Sequence, residues 1–236
     1  MAQVGKTYFI IGANRGIGFN LAKSYSEENP HNVVLATARN VECATELQNL
    51  AKQNKNVFIV QLDIADSNSI DKLDAQISTL TDGIDVFISN AGVANAYTTV
   101  FDAPKKKIYK FLLKRETRKV IFISTAGASI TGFFPVSSSA YGQSKAALNY
   151  SVKELSFELE PENFIVVAVH PGTVSIDLGT TGISQLKKNR PELAETLDSL
   201  VISPNESISG LKKLFDSLEK KHNGFFWSYD GSEIPF

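Results

Sequence analysis

The chain has 236 residues, and 43% of them are hydrophobic, so it can bury the core of one large domain or two small ones. Its 24 basic and 25 acidic residues leave a net charge of −1, which argues against sequence-independent binding of nucleic acid or of an anionic membrane. The single cysteine, Cys43, excludes an intramolecular disulfide and lacks the clustered partners of a zinc or other metal site. Without a signal peptide or an apolar run near the ~18 residues of a membrane span, we expect a soluble cytoplasmic protein.

Short β-branched and aromatic runs alternate with longer helical patterns along the chain, which predicts βα units around a parallel sheet. The strand-like runs are almost continuously apolar, as expected when helices cover both faces of the sheet. We predict seven strands, over Thr7–Ile11, Val33–Ala38, Val57–Leu62, Val86–Ser89, Val120–Ser124, Ile165–Val169 and Phe225–Tyr229. We predict helices over Gly16–Ser26, Ala44–Gln53, Ser67–Leu80, Ala140–Leu159 and Glu206–Lys221. The expected fold is α/β, a doubly wound seven-stranded parallel sheet of the Rossmann type, in a single domain over residues 1–236.

The segment between the fourth and fifth predicted strands is short and basic. After Pro104, little more than a dozen residues remain for a connection that has to recross the sheet. The segment carries eight basic residues: Lys105, Lys106, Lys107, Lys110, Lys114, Arg115, Arg118 and Lys119. Such a charge run predicts a solvated helix face. The length indicates either a trimmed helix or a break of about 15–20 residues in the ordered chain near Pro104–Lys107, and we favour the break.

A glycine-rich sequence, running from Gly12 to Gly18, joins the first strand to the first helix. Gly12 permits a tight turn, Gly16 lets the backbone approach a ligand, and Gly18 allows close helix packing. The first amides of the helix are then free to bind a pyrophosphate. This position between strand and helix predicts a dinucleotide site, and the alternative is a tight turn that binds nothing.

Charge at the end of the second strand indicates which dinucleotide binds. A site that prefers NAD usually has Asp or Glu there to bind the ribose 2′-hydroxyl, whereas this sequence has Arg39. Arg15, in the glycine loop, is a second cation, and two guanidinium groups suit a phosphate. We therefore predict NADPH as the cofactor; the alternative is that both arginines are simply solvated.

Five motifs in order make the chain resemble a short-chain dehydrogenase/reductase. They are the glycine loop, Asp63 after the third strand, Asn90-Ala91-Gly92 after the fourth, Tyr141-x-x-x-Lys145, and Pro171-Gly172 after the sixth. Residues 123–130 and the final stretch from 224 to 236 resemble fungal carbonyl reductases of the norsolorinic acid ketoreductase, C-factor and sniffer type. The resemblance implies a cofactor site formed by Gly12, Asn14, Arg15, Gly16, Ile17, Gly18, Arg39, Asp63, Ile64, Asn90, Ala91, Gly92, Tyr141, Lys145, Pro171, Gly172 and Val174.

Tyr141 and Lys145 lie four residues apart on a predicted helix, so their side chains share a face with Cβ atoms roughly 5–6 Å apart. A lysine cation about 4–5 Å from the phenol, at an effective dielectric constant of about 20, would favour the phenolate by roughly 3–4 kcal/mol before desolvation costs, or two to three pKa units. The resemblance implies that Tyr141 protonates the substrate oxygen as hydride leaves the nicotinamide, and that Lys145 also holds the ribose.

The resemblance also implies a hydroxyl group after the fifth strand that orients the substrate carbonyl. Thr125 occupies the aligned position, Ser129 lies nearer the usual spacing to Tyr141, and Ser124 is a third candidate, so the choice stays open. Two further features depart from the family pattern. Residues 102–119 contain no asparagine for the family's water-mediated proton relay. Ile176 stands where a threonine often holds the nicotinamide carboxamide, a contact that residues 173–175 could supply instead.

Apolar side chains flank the predicted site and indicate its substrate: Tyr97, Phe133, Phe134 and Leu178. They predict a hydrophobic pocket for an aromatic ketone or a diketone, unless Phe133 and Phe134 are core residues. The leading prediction is an NADPH-dependent carbonyl reductase with a small-molecule substrate and no nucleic acid or membrane partner. An alcohol dehydrogenase of the same fold and an NADP-binding redox sensor or scaffold without turnover are the alternatives, and a homodimer is left open.

Overall fold

The computed structural model describes residues 4–90, 102–133, 139–176, 183–184 and 186–236. The strands are β1 Thr7–Ile11, β2 Val33–Ala38, β3 Val57–Gln61, β4 Val86–Ser89, β5 Lys119–Ile123, β6 Ile165–His170, β7 Thr173–Val174, β8 Val201–Ile202, β9 Phe226–Ser228 and β10 Glu233–Ile234. The α-helices are α1 Gly16–Glu28, α2 Thr45–Gln53, α3 Ser67–Ser78, α4 Asp102–Leu112, α5 Ser139–Glu158, α6 Ala194–Ser199 and α7 Pro204–Ser217. Among these residues no helix has both the length and the hydrophobicity needed to cross a bilayer.

Eight strands form the central sheet in the order β10-β9-β6-β5-β4-β1-β2-β3. All pairs are parallel except β9 with β10, so the predicted α/β fold is confirmed. The prediction of seven strands is one short, because Glu233 and Ile234 add an antiparallel edge strand too brief to leave a pattern in the sequence. The order changes direction at β1, which lies between β2 and β4. In open sheets of this kind, ligands bind at that switch point, outside the carboxyl ends of the strands.

The sheet is buried on both faces, which explains its nearly continuous apolar strands. In β1, Tyr8 and Ile10 belong to the core layer that includes α1, α2 and α7. Phe9 and Ile11 belong to the opposite layer, with α3, α4 and α5. Because successive side chains alternate between faces, every position of a central strand is apolar.

The predicted helices are all present, and only the last is displaced. It spans Pro204–Ser217 rather than Glu206–Lys221. The hydroxyl of Ser203 caps the start by accepting a hydrogen bond from the Glu206 amide at 3.1 Å, and proline is well suited to the first turn of a helix. The turn at Lys220–His222 is a separate 3-10 helix.

The connection between β4 and β5 is a trimmed helix, and the predicted chain break is wrong. Helix α4 runs from Asp102 to Leu112, straight through Pro104–Lys107. Its residues Ile108, Phe111 and Leu112 are buried in the core layer on this face of the sheet, and their burial stabilises the helix.

Basic residues of α4 and of the following turn form ion pairs, so the predicted solvated helix face is only part of their role. Lys107 contacts Asp71 at 3.3 Å, Lys110 contacts Asp74, and Arg115 contacts Asp82 at 2.6 Å. The carboxylates belong to α3 and to the turn that follows it. Since these pairs are largely exposed, they contribute little stability, but their charges match the two surfaces.

Candidate active site

Parallel strands bring the predicted motifs to one edge of the sheet. Gly12 follows β1, Asn90 follows β4, Ser124 follows β5 and Pro171 follows β6. These four strands are neighbours in the sheet, so their carboxyl ends lie side by side. Helix α5 carries Tyr141 and Lys145 near its N-terminus and packs across β5 and β6.

The glycine loop is a close-packed turn held by both neighbouring strands. Gly12 and Gly16 have φ of 74° and 62°, a region that favours glycine. A Cβ on Gly18 would lie 2.3 Å from the Gly12 carbonyl oxygen, so only glycine fits there. The Asn90 side-chain amide donates to that same oxygen at 2.9 Å, and the Gly12 amide donates to the Thr37 hydroxyl at 3.1 Å.

The start of α1 is suited to an anion. Arg15 is the N-cap residue, its side chain makes no capping hydrogen bond, and the first turn contains no acidic residue. The amides of this turn and the helix dipole therefore suit the pyrophosphate of a dinucleotide. Exposed Asn14 and half-buried Ile17 belong to the same turn.

The ends of β2 and β3 lie beyond the glycine loop on the same edge of the sheet. Arg39, directly after β2, is exposed, and its carbonyl oxygen accepts a hydrogen bond from the Gln61 side chain. Asp63, after β3, is held in a turn in which its side chain accepts from the Ala65 amide at 3.0 Å, with half-buried Ile64 between them. A guanidinium in place of a carboxylate after β2 fits a phosphorylated ribose.

Lys145 is buried and tied to the end of β5. Its side chain is 8% exposed, and Nζ donates to the Ile123 carbonyl oxygen at 2.8 Å. Burial lowers the pKa of Lys145 to about 8 and raises the pKa of Tyr141 above its usual value. The pKa of Tyr141 is therefore raised rather than lowered as predicted, and burial of the phenol is the cause of the shift.

Hydrogen bonds distinguish the three candidate hydroxyls. The Ser124 hydroxyl is buried and donates to Asn149 Oδ1 at 2.7 Å. The Ser129 hydroxyl donates to the Pro235 carbonyl oxygen and accepts from the Gly132 amide. Thr125 Oγ1 accepts from the Gly127 amide at 3.3 Å, and the described residues show no acceptor for its proton. Only Thr125, which is half-buried, keeps a hydroxyl proton for a ligand.

The loop after β6 lies against the glycine loop. Gly172 has φ of 86°, and the Pro171 carbonyl oxygen accepts from the Ser207 hydroxyl at 2.6 Å. Val174 is buried in β7. The Ile176 Cδ1 atom lies 3.3 Å from where a Cβ on Gly16 would be, so this side chain covers the glycine loop.

The predicted substrate residues are only partly described. Phe133 is 69% exposed, so the alternative that it belongs to the core is wrong. Ala91, Gly92, Tyr97, Phe134 and Leu178 lie outside the described residues.

Sequence reasoning missed Asn149, which is 3% exposed and bonded to Ser124. The available signal was its spacing, four residues after Lys145 and eight after Tyr141 on one helix face. It also missed the final residues as a structural support. The Phe236 carbonyl oxygen accepts from the Thr131 amide at 3.0 Å, beside the bond from Ser129 to Pro235.

Comparison with known proteins finds relatives that align with almost the whole chain. An uncharacterized oxidoreductase of Schizosaccharomyces pombe is 39% identical over 254 aligned residues, which cover 100% of both chains. Norsolorinic acid ketoreductase of Dothistroma septosporum is 28% identical over 98% of this chain and 92% of its own. Since the alignment has 254 positions and this chain has 236 residues, about 18 positions have no residue of this chain.

Two solved structures are similar over almost the whole chain. The carbonyl reductase sniffer of D. melanogaster has a TM-score of 0.81 and 26% identity, covering 99% of this chain and 100% of its own. The NADPH-bound carbonyl reductase from chicken fatty liver has a TM-score of 0.82 and 25% identity, with the same coverage. The family model for short chain dehydrogenase matches residues 6–186, from the start of the sheet to beyond the loop after β6. On this evidence the chain belongs to the short-chain dehydrogenase family, as its motifs predict.

Proposed function

We propose that this oxidoreductase reduces a ketone or aldehyde carbonyl to an alcohol with NADPH, and that its preferred substrates are aromatic ketones or diketones. The observation that carries the proposal is the buried lysine Lys145, tied to the end of β5 one helical turn from Tyr141, at the same edge of the sheet as the glycine loop. Similarity to a ketoreductase and to two carbonyl reductases, one of them bound to NADPH, supports it.

The residues at the edge of the sheet fit NADPH. The amides between Gly12 and Gly18 suit its pyrophosphate, and Arg15 and Arg39 suit its 2′-phosphate. Lys145 would hold the nicotinamide ribose. When bound, NADPH would supply the hydride that adds to the carbonyl carbon.

The chain itself supplies the proton. Because burial raises the pKa of Tyr141, the phenol is fully protonated at neutral pH and can donate to the carbonyl oxygen as negative charge develops there. The phenolate left behind is half-buried, and the Lys145 cation, with a pKa of about 8, stabilises it until solvent returns a proton. The Thr125 hydroxyl, with its uncommitted proton, would orient the carbonyl oxygen before transfer.

Exposed apolar groups support the proposed substrate class. Phe133 is 69% exposed and Ile130 is 78% exposed, and both follow Thr125 in the segment that leads to α5. A flat aromatic substrate would cover such groups and gain from their desolvation.

Tyr141→Phe keeps the aromatic ring and removes the proton donor. We expect NADPH oxidation in the presence of an aromatic ketone to fall about 10²–10⁴-fold, while NADPH still binds. Tyr150→Phe is the matched control, since Tyr150 lies on the same helix and is 72% exposed. A folded Tyr141→Phe protein that stays within about threefold of the wild-type rate would contradict the proposal.

Thr125→Val should lower kcat/KM about 10²–10³-fold, because it removes the group that orients the developing oxyanion. Thr125→Ser should recover most of this loss, since the hydroxyl returns. Ser129→Ala should lower the melting temperature through the lost bond to Pro235 and leave a much smaller kinetic effect. The reverse pattern, with Ser129 controlling the rate and Thr125 dispensable, would refute the assignment of the hydroxyl.

Arg39→Asp combined with Arg15→Ala should shift binding preference from NADPH towards NADH, because two cations disappear and a carboxylate can accept from the 2′-hydroxyl. Titration of both cofactors measures the ratio of affinities. The control variant combines Lys52→Asp with Lys55→Ala. It makes the same change in net charge at exposed positions of α2 and the following turn. An unchanged ratio in the arginine variant, or an equal shift in the lysine variant, would rule out the phosphate site.

A further inference from the structure

Three polar side chains form a row across the carboxyl ends of neighbouring strands. Ser124 directly follows β5, and its amide donates to the Val169 carbonyl oxygen at 2.7 Å, which places it beside His170 at the end of β6. His170 pairs in turn with Ser228 at the end of β9. Neighbouring strands lie only about 4.8 Å apart, so Ser124, His170 and Ser228 occupy adjacent positions on three neighbouring strands.

The row lies on the face of the sheet that α5 covers. In β6, Val166 and Ala168 belong to the core layer that contains Val152 and Leu155 of α5. Alternation along the strand puts His170 on that same face. The bond between Ser124 and Asn149 puts the Asn149 amide at the same end of the sheet.

Two atoms in this small region are buried without a hydrogen-bond partner. They are Nδ2 of Asn149 and Nδ1 of His170, two of the four such side-chain atoms in the part of the chain that the structure describes. Burial lowers the pKa of His170 to about 4, so the ring is neutral at pH 7. In a neutral imidazole one nitrogen accepts, whereas an amide nitrogen only donates, so the two atoms are complementary. Buried polar atoms are rarely left unpaired, and a bridging water is the usual solution.

We propose that Asn149 and His170 bind one buried water molecule, which accepts a hydrogen bond from Asn149 Nδ2 and donates one to His170 Nδ1. Asn149 then uses both ends of its amide, Oδ1 towards β5 through Ser124 and Nδ2 towards β6 through the water. The water site itself does not depend on the proposed function, whereas its expected effect on catalysis rests on that function. Both residues are positioning residues, which hold the turn of α5 that carries Lys145 and Tyr141 over the sheet.

A crystal structure of the wild-type protein tests the water site directly. We expect density for one ordered water at about 2.7–3.2 Å from both Asn149 Nδ2 and His170 Nδ1. A structure in which the two atoms bond each other, or in which either has another partner and no water lies between them, would overturn the proposal. This test does not depend on any enzymatic activity.

Kinetics of three variants test the positioning role. His170→Leu should lower kcat roughly tenfold and leave the KM for the ketone and the affinity for NADPH nearly unchanged, and Asn149→Leu should lower kcat at least as much because it also removes the bond to Ser124. The double variant should lose little more than Asn149→Leu alone, because that variant already removes the water that His170 holds and contacting residues are not additive. His170→Gln, whose side-chain oxygen can accept from the water, should recover part of the loss. Ser156→Ala, at another buried serine of α5, is the control for a general loss of stability and should keep kcat.

The outcomes separate this inference from the proposed function. A wild-type protein that reduces no carbonyl compound contradicts the function, while the water can still be present in the crystal. Multiplied losses in the double variant, or no recovery with His170→Gln in a folded protein, contradict the positioning role even if carbonyl reduction is established.

Discussion

The site depends on how α5 docks on the end of β5. Lys145 Nζ donates to the Ile123 carbonyl oxygen, and the next residue, Ser124, donates to Asn149 one helical turn further along. These two bonds tie one face of the helix to two consecutive residues of a buried strand. Tyr141 lies on the same face, one turn before Lys145, so its position relative to the sheet follows from them. A helix that slid by one residue would lose both bonds and leave buried polar groups unpaired, which is costly.

The burial that fixes this helix also sets the acid–base chemistry. Removing water disfavours every charged form, so it moves the pKa of Lys145 down and that of Tyr141 up. The two shifts suit a reductase, because the tyrosine is kept as a proton donor and the lysine still carries its charge at neutral pH. A site made for the opposite reaction would need the phenolate as its resting form.

Features that depend on a few consecutive residues could be predicted from the sequence, whereas features that depend on contacts between distant residues could not. The strands from β1 to β6 come directly from apolar runs, and the glycine loop is predictable because φ near +60° at Gly12 and Gly16 needs glycine. The choice among Ser124, Thr125 and Ser129 was not predictable, because it depends on Asn149 and on Pro235, which is more than 100 residues away in the chain. The prediction for α4 was wrong because the length of the segment alone does not distinguish a shorter helix from a break in the ordered chain. The pKa direction at Tyr141 differs from the prediction because the desolvation cost depends on how the folded chain surrounds the phenol, which the spacing of two residues does not give.

The final residues have a structural role that no sequence motif predicts. Pro235 and Phe236 hold the segment from Ser129 to Gly132 through backbone carbonyl oxygens, and Phe236 stacks on Phe226 with ring centroids 5.9 Å apart. That segment connects Thr125 with α5, so the edge of the sheet supports the loop that would face the substrate. Backbone acceptors of this kind place almost no demand on residue type, which is why sequence gives no signal for them.

The pH dependence of kcat/KM for carbonyl reduction tests the central claim most directly, because it reports the ionisation of the free enzyme. With the pKa of Lys145 near 8, raising the pH through that value would remove the cation that, in our proposal, supports proton donation by Tyr141. We expect the logarithm of kcat/KM to fall by about one per pH unit above pH about 8, as loss of one proton predicts. This decrease should be absent from the residual activity of the Lys145→Met variant. A wild-type profile that stays level or rises up to the pH at which an ordinary lysine titrates would contradict the account.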